Sequence, residues 1–201
     1  MVSGQTSELD FKWRQVDVPK RPDPACPVTV ITDALGFNLS QLPYRLHIQT
    51  WEDRTLSGLP REIRHQKVEV RFRHVIVWLG LREAELTEAE LLEIVHDIVT
   101  QVRYFQNKLS LSFASLPPVW TMDKYQISRV IKFNWKLKKT IQSPRFYRFP
   151  SLGFIPVHTV LLKDGKQDPY CFDQQSLTGL SREGASRVAD ILQRYSQDPL
   201  I

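Results

Sequence analysis

Cysteine is scarce: Cys26 and Cys171 are the two in 201 residues. Two thiols cannot build a disulfide framework, nor a zinc site on their own. A secreted disulfide scaffold is therefore excluded, and a reducing, cytoplasmic setting is expected. Long apolar runs are missing too. The longest, Val75 to Leu79, falls far short of the ~20 residues that a membrane-spanning helix needs, so no membrane partner is expected. The first residues carry Glu8, Asp10, Lys12 and Arg14 with no apolar stretch, unlike a secretory leader. There is no internal repeat, no low-complexity tract and no Gly-rich phosphate loop of the Walker type. His47, His65, His74, His96 and His158 are scattered, and no motif asks for a metal or a cofactor.

What is present suits a globular domain. Apolar residues make up 42% and charged residues 24%, enough for a sizeable core. Residues 1–26, broken by Pro19, Pro22 and Pro24, read as a lead-in segment, and 27–201 as one domain. From Val28 onward the elements alternate. Val28 to Ile31 is a β-branched run of buried-strand type, and Leu46 to Trp51 is a second strand candidate. A short polar helix follows around Thr55 to His65, then the strong strand Val75 to Leu79. Thr87 and Glu90 have capping-box spacing ahead of a helix whose stripe is Leu91, Ile94, Val95, Ile98, Val99 and Val102. Leu109 to Ala114 reads as a strand, Asp123 to Ile141 as a helix ended by Pro144, Phe154 to Leu162 as extended, and Ser181 to Tyr195 as a closing helix. Strand and helix in this order predict an α/β fold, a parallel sheet with helices on both faces.

Several blocks on this frame carry a resemblance. Thr32-Asp-Ala-Leu35 follows the first strand. His74 to Glu83 is an apolar strand ending in Gly80-Leu-Arg-Glu83. Ser115-Leu-Pro-Pro118 follows the fourth strand, and Asp173-Gln-Gln-Ser176-Leu177 precedes the last helix. In order, these blocks resemble those of the SGNH, or GDSL-type, hydrolases, which implies a three-layer fold. That family carries Gly-Asp-Ser-Leu, Gly-x-Asn-Asp and Asp-x-x-His-Leu at the corresponding places. The departures fall on the reacting groups. Ala34 stands at the nucleophile, Arg82 at the oxyanion-donating Asn and Ser176 at the general base. Gly58 falls near the family's oxyanion glycine. Losing nucleophile, base and amide donor together removes the mechanism rather than weakening it, so an inactive pseudo-hydrolase is expected.

The charge is uneven. Lys plus Arg outnumber Asp plus Glu by 27 to 22. The stretch 124–148 holds eight bases, Lys124, Arg129, Lys132, Lys136, Lys138, Lys139, Arg145 and Arg148, and no acid. Arg129, Lys132, Lys136 and Lys139 share one helical face, with Ile127, Val130, Ile131, Leu137 and Ile141 expected on the sheet side. Trp135, Phe146 and Tyr147 interleave with these bases. By contrast, 83–97 holds six acids and no Lys or Arg. A smaller basic group surrounds the third strand: Arg61, Arg64, Lys67, Arg71 and Arg73.

Cations interleaved with aromatics suit single-stranded nucleic acid, and all eight bases of 124–148 are candidate RNA contacts. Absent catalysis combined with a basic surface resembles a non-catalytic, RNA-binding branch of the family from insect germ plasm. That resemblance implies single-stranded RNA as partner, specifically messenger RNA 3′ untranslated regions, with protein partners in cytoplasmic germ granules. It also implies roles in germ-plasm assembly and in translational and localisation control. Two alternatives stand beside it. One is a protein-interaction scaffold docking through the acidic helix or the old cleft. The other is an esterase with a relocated nucleophile.

Overall fold

The computed structural model describes residues 28–68, 73–105, 109–118, 122–149, 151–164, 166–173 and 179–197. The expected lead-in over 1–26, Cys26, Arg71 and Ser176 lie outside the described residues. Five strands, β1 (Val28–Thr32), β2 (His47–Thr50), β3 (His74–Trp78), β4 (Ser110–Ala114) and β5 (Leu152–Ile155), form one parallel sheet in the order β2-β1-β3-β4-β5. The helices are α1 (Leu59–Arg64), α2 (Glu88–Phe105), α3 (Lys124–Ile141) and α4 (Arg182–Gln197). A small antiparallel pair, β6 (Leu162–Lys163) and β7 (Lys166–Gln167), lies between β5 and α4.

The strand order follows from handedness. The links β2-α1-β3, β3-α2-β4 and β4-α3-β5 all step the same way across the sheet. Right-handed crossovers therefore put α1, α2 and α3 on one face. The β1-to-β2 link steps the other way and joins α4 on the opposite face. There the Tyr44 hydroxyl meets Ser186 Oγ at 3.0 Å, and Asn38 Nδ2 donates to the Leu180 carbonyl at 2.9 Å. Among the described residues no helix is long and apolar enough to cross a membrane.

The central strands β1 and β3 are buried along their whole length, which is why they read as unbroken apolar runs rather than as alternations. The expected capping box of α2 is present: Glu90 N donates to Thr87 Oγ1 and Glu90 Oε2 accepts from Thr87 N at 2.8 Å. A second box opens α3, where Asp123 Oδ1 accepts from Gln126 N at 2.7 Å and Gln126 Oε1 from Asp123 N at 3.0 Å. Each box supplies partners for N–H groups that the first helical turn leaves unpaired. The extended segment expected over Phe154 to Leu162 stops at Ile155. Pro156 has no N–H for a ladder and turns the chain into a 3-10 turn over Val157–Leu161.

Candidate functional site

In a sheet of this order, the chain reverses direction between β1 and β3, and the loops at the carboxyl ends of those strands form the usual ligand crevice. Asp33, Ala34, Arg82 and Glu83 stand there, beside the loop Thr55–Gly58 that precedes α1. Their polar groups are already occupied. Asp33 is buried, and its Oδ1 accepts from Leu35 N at 3.0 Å. Burial pushes its carboxyl above the usual aspartate range, against that hydrogen bond and the charges of Arg82 and Arg54. Glu83 accepts from Leu56 N, and from Ser57 N at 2.8 Å. Gly58 N donates to Thr55 Oγ1 at 3.1 Å. Three successive N–H groups that could have faced an anion thus point at side chains of the protein.

The two arginines of this crest differ. Arg54 is 5% exposed, and its Nε pairs with Glu62 at 2.8 Å while Nη1 donates to the Gln49 carbonyl at 2.6 Å. Arg82, expected from the sequence resemblance at the place of an oxyanion-donating Asn, is exposed and pairs with Asp53 at 3.0 Å. Between them the backbone is held tightly. Gly80 sits at φ +124°, and a Cβ there would lie 2.5 Å from the Phe133 ring, so only glycine serves at this turn.

The basic helix α3 lies beside the acidic helix α2, which changes the reading of its charge. Arg129 pairs with Glu85 at 2.8 Å, Lys139 with Glu88 at 2.7 Å and Arg145 with Glu93 at 2.6 Å. Lys136 Nζ donates to the Leu86 carbonyl at 2.5 Å. Acids and bases separated along the chain are therefore neighbours in space, not opposed patches. The face shared by Arg129, Lys136 and Lys139 looks toward α2, while Lys124, Lys132, Lys138 and Arg148 make no ion pair among the described residues.

The outward ridge of α3 carries these free lysines together with Tyr125 (66% exposed), Ile131 (59%) and Trp135 (59%). Ile131 was expected to pack on the sheet. Its place in the core is taken by Asn134, whose amide accepts from Leu116 N and donates to the Leu116 carbonyl, both at 2.8 Å. A fully paired amide can be buried at little cost, and this one fastens α3 to the chain leaving β4. Phe146 is also buried, so of the aromatics flanked by Arg145 and Arg148 only Tyr147 is exposed. Phe133 belongs to the core.

No protein-family model matches the sequence, and no curated protein matches it either. Solved structures do. A GDSL-like lipase from Bacteroides thetaiotaomicron superposes with a TM-score of 0.62 at 9% identity, over 86% of this chain and 88% of that one. A family 3 carbohydrate esterase from Clostridium thermocellum gives 0.62 at 16% identity, over 86% and 96%. The fold is that of the SGNH, or GDSL-type, hydrolases. Among these SGNH-like neighbours is the OSK domain of Drosophila Oskar, with a TM-score of 0.57 at 17% identity, over 84% of this chain and 87% of that domain.

One polar pair on the SGNH-like crest escaped the sequence. Ser115 Oγ lies 2.7 Å from His158 Nδ1 and accepts from the His158 backbone N–H at 3.0 Å. The two residues are 43 positions apart, but Ser115 directly follows β4 and His158 lies in the 3-10 turn just past its parallel neighbour β5. Reading them as strand ends rather than as isolated residues would have paired them. Ser115 is fully buried. Its hydroxyl meets Nδ1 and its oxygen takes the backbone N–H, which ties the end of β4 to the turn after β5. Burial, and secondarily the charge of Lys138, lowers the His158 pKa.

Proposed function

We propose that this chain is an RNA-binding domain on an SGNH-like scaffold without hydrolase chemistry. The observation that carries the reading is the outward ridge of α3, where Lys124, Lys132 and Lys138 alternate with the exposed side chains of Tyr125, Ile131 and Trp135. Unpaired bases stack on such rings while phosphates meet the cations, whereas a duplex hides its base faces. Inactivity is supported by Ala34, which has no hydroxyl to acylate, and by Ser176, which cannot replace an imidazole as base near neutral pH. It is further supported by the occupied N–H groups of Leu56, Ser57 and Gly58. The likeness to the OSK domain directs the finer reading. The RNA is messenger RNA bound through 3′ untranslated regions, in germ-plasm granules of the cytoplasm, with other granule proteins as partners.

Titration of labelled single-stranded RNA at several salt concentrations tests this. Affinity falls steeply as salt rises, because each neutralised phosphate releases counterions. Affinity that ignores salt, or that survives reversal of all eight bases of 124–148, sinks the proposal. The 2.7 Å contact of Ser115 with His158 favours one second reading, an esterase with a relocated nucleophile. A fluorophosphonate probe separates the two: no labelling fits the RNA reading, and stoichiometric labelling of Ser115 fits the esterase.

A further inference from the structure

We infer that the depression at the C-terminal end of α3 is a nucleobase pocket, with Trp135 as the surface on which an unpaired base stacks; this rests on the RNA-binding reading above. The depression measures about 500 Å³ and is lined by Trp135, Lys138, Lys139, Gln142, Ser143 and Pro144. That volume falls within the ~300–1,000 Å³ of ordinary small-molecule sites. No acid is among its lining residues.

The lining meets each part of one nucleotide. The indole of Trp135 is more than half exposed, and Lys139 Nζ lies 5.0 Å from its ring centroid. This cation–π contact places an ammonium over the indole, shared with Glu88 at 2.7 Å and within reach of a phosphate attached to a stacked base. Lys138 adds a second ammonium with no ion pair among the described residues. The Gln142 side chain offers both a donor and an acceptor and can meet the polar edge of any base. Ser143 Oγ accepts from Arg145 N at 3.4 Å and keeps its own proton to donate. Pro144 opens the 3-10 turn Pro144–Phe146 and supplies a rigid apolar wall.

The pocket sits on the outward side of α3. Asn134, bonded to Leu116, holds the middle of the helix level with the residues that follow β4, and the pocket opens from the next residue, Trp135, on to Pro144. Lys139 in its lining also reaches Glu88 at the start of α2, at 2.7 Å.

The test is anisotropy of labelled single-stranded RNA with the wild type, Trp135→Ala and Trp135→Phe, each at several salt concentrations and alongside a duplex of the same sequence. Loss of one stacked base predicts roughly 5- to 100-fold weaker binding for Trp135→Ala. The slope of affinity against salt stays unchanged, Trp135→Phe recovers most of the loss, and the duplex binds weakly to all three proteins. Trp135 is a surface side chain, and an unchanged circular dichroism spectrum shows that the variants fold. Affinity of Trp135→Ala within twofold of the wild type overturns the pocket and leaves the RNA reading intact. So does duplex binding as tight as single-strand binding. A wild type that binds no RNA at low salt overturns both.

Discussion

The crest and the ridge hold similar residues and use them in opposite ways. At the crest, Arg54, Glu83, Asp33 and the Thr55 hydroxyl are turned inward, each committed to a partner that holds a loop in place. On the ridge, Lys124, Lys132 and Lys138 stand outward beside exposed rings, without ion pairs among the described residues. Polar groups committed to the fold stabilise it and have nothing left for a ligand. Groups without partners add little to stability and can bind. Substitutions at the crest should therefore move stability and spare RNA binding, and substitutions on the ridge should do the reverse.

The largest stability effect is expected at the crest. Glu62→Ala leaves the Arg54 guanidinium buried without its counter-ion and should cost about 3 kcal/mol in urea denaturation, with RNA affinity unchanged. A comparable effect appears with pH. Burial lowers the His74 pKa to about 4 from 6.5, while its Nε2 pairs with Ser112 Oγ at 2.9 Å. Between those values the unfolded chain binds a proton that the folded chain refuses. The stability is thus fully present above pH 6.5 and is lost as pH falls toward 4, by about 3 kcal/mol. Thermal melts across that range should show the slope, and His74→Asn should flatten it. RNA binding must be compared above it.

Smaller effects sharpen the contrast. On the RNA-binding proposal, the acids of α2 and of the turn before it, paired with Arg129, Lys139 and Arg145, compete with phosphates for them. Changing Glu85, Glu88 and Glu93 together to Gln should raise RNA affinity several-fold at low salt. The cost in stability should be under about 1 kcal/mol per exposed pair. A fall in affinity would show that those pairs organise the binding face rather than mask it.

Much of the fold was legible because local signals agreed with it. The β-branched runs at Val28 and Val75, the Thr87–Glu90 box and the stripe from Leu91 to Val102 all appear where expected. The misses share a cause, which is that their partners lie far off in sequence. Asn134 looks polar until Leu116 brackets it, and its burial leaves Ile131 outside. Ser115 and His158 meet only because β4 and β5 are neighbours. The acid-rich and base-rich stretches look segregated until handedness places α2 against α3. The occupied N–H groups of Leu56 to Gly58 required coordinates.

The most direct measurement is the salt dependence of single-stranded RNA binding by two variants that change charge equally. One reverses Lys124, Lys132, Lys138 and Arg148 to Glu; the other reverses Arg129, Lys136, Lys139 and Arg145. At about 0.7 per phosphate contact, loss of the four unpaired cations should flatten the slope of log affinity against log salt by about 3. The second variant, whose cations already serve α2, should flatten it less. Equal slopes in the two variants, or a wild type whose binding does not respond to salt, would contradict the account.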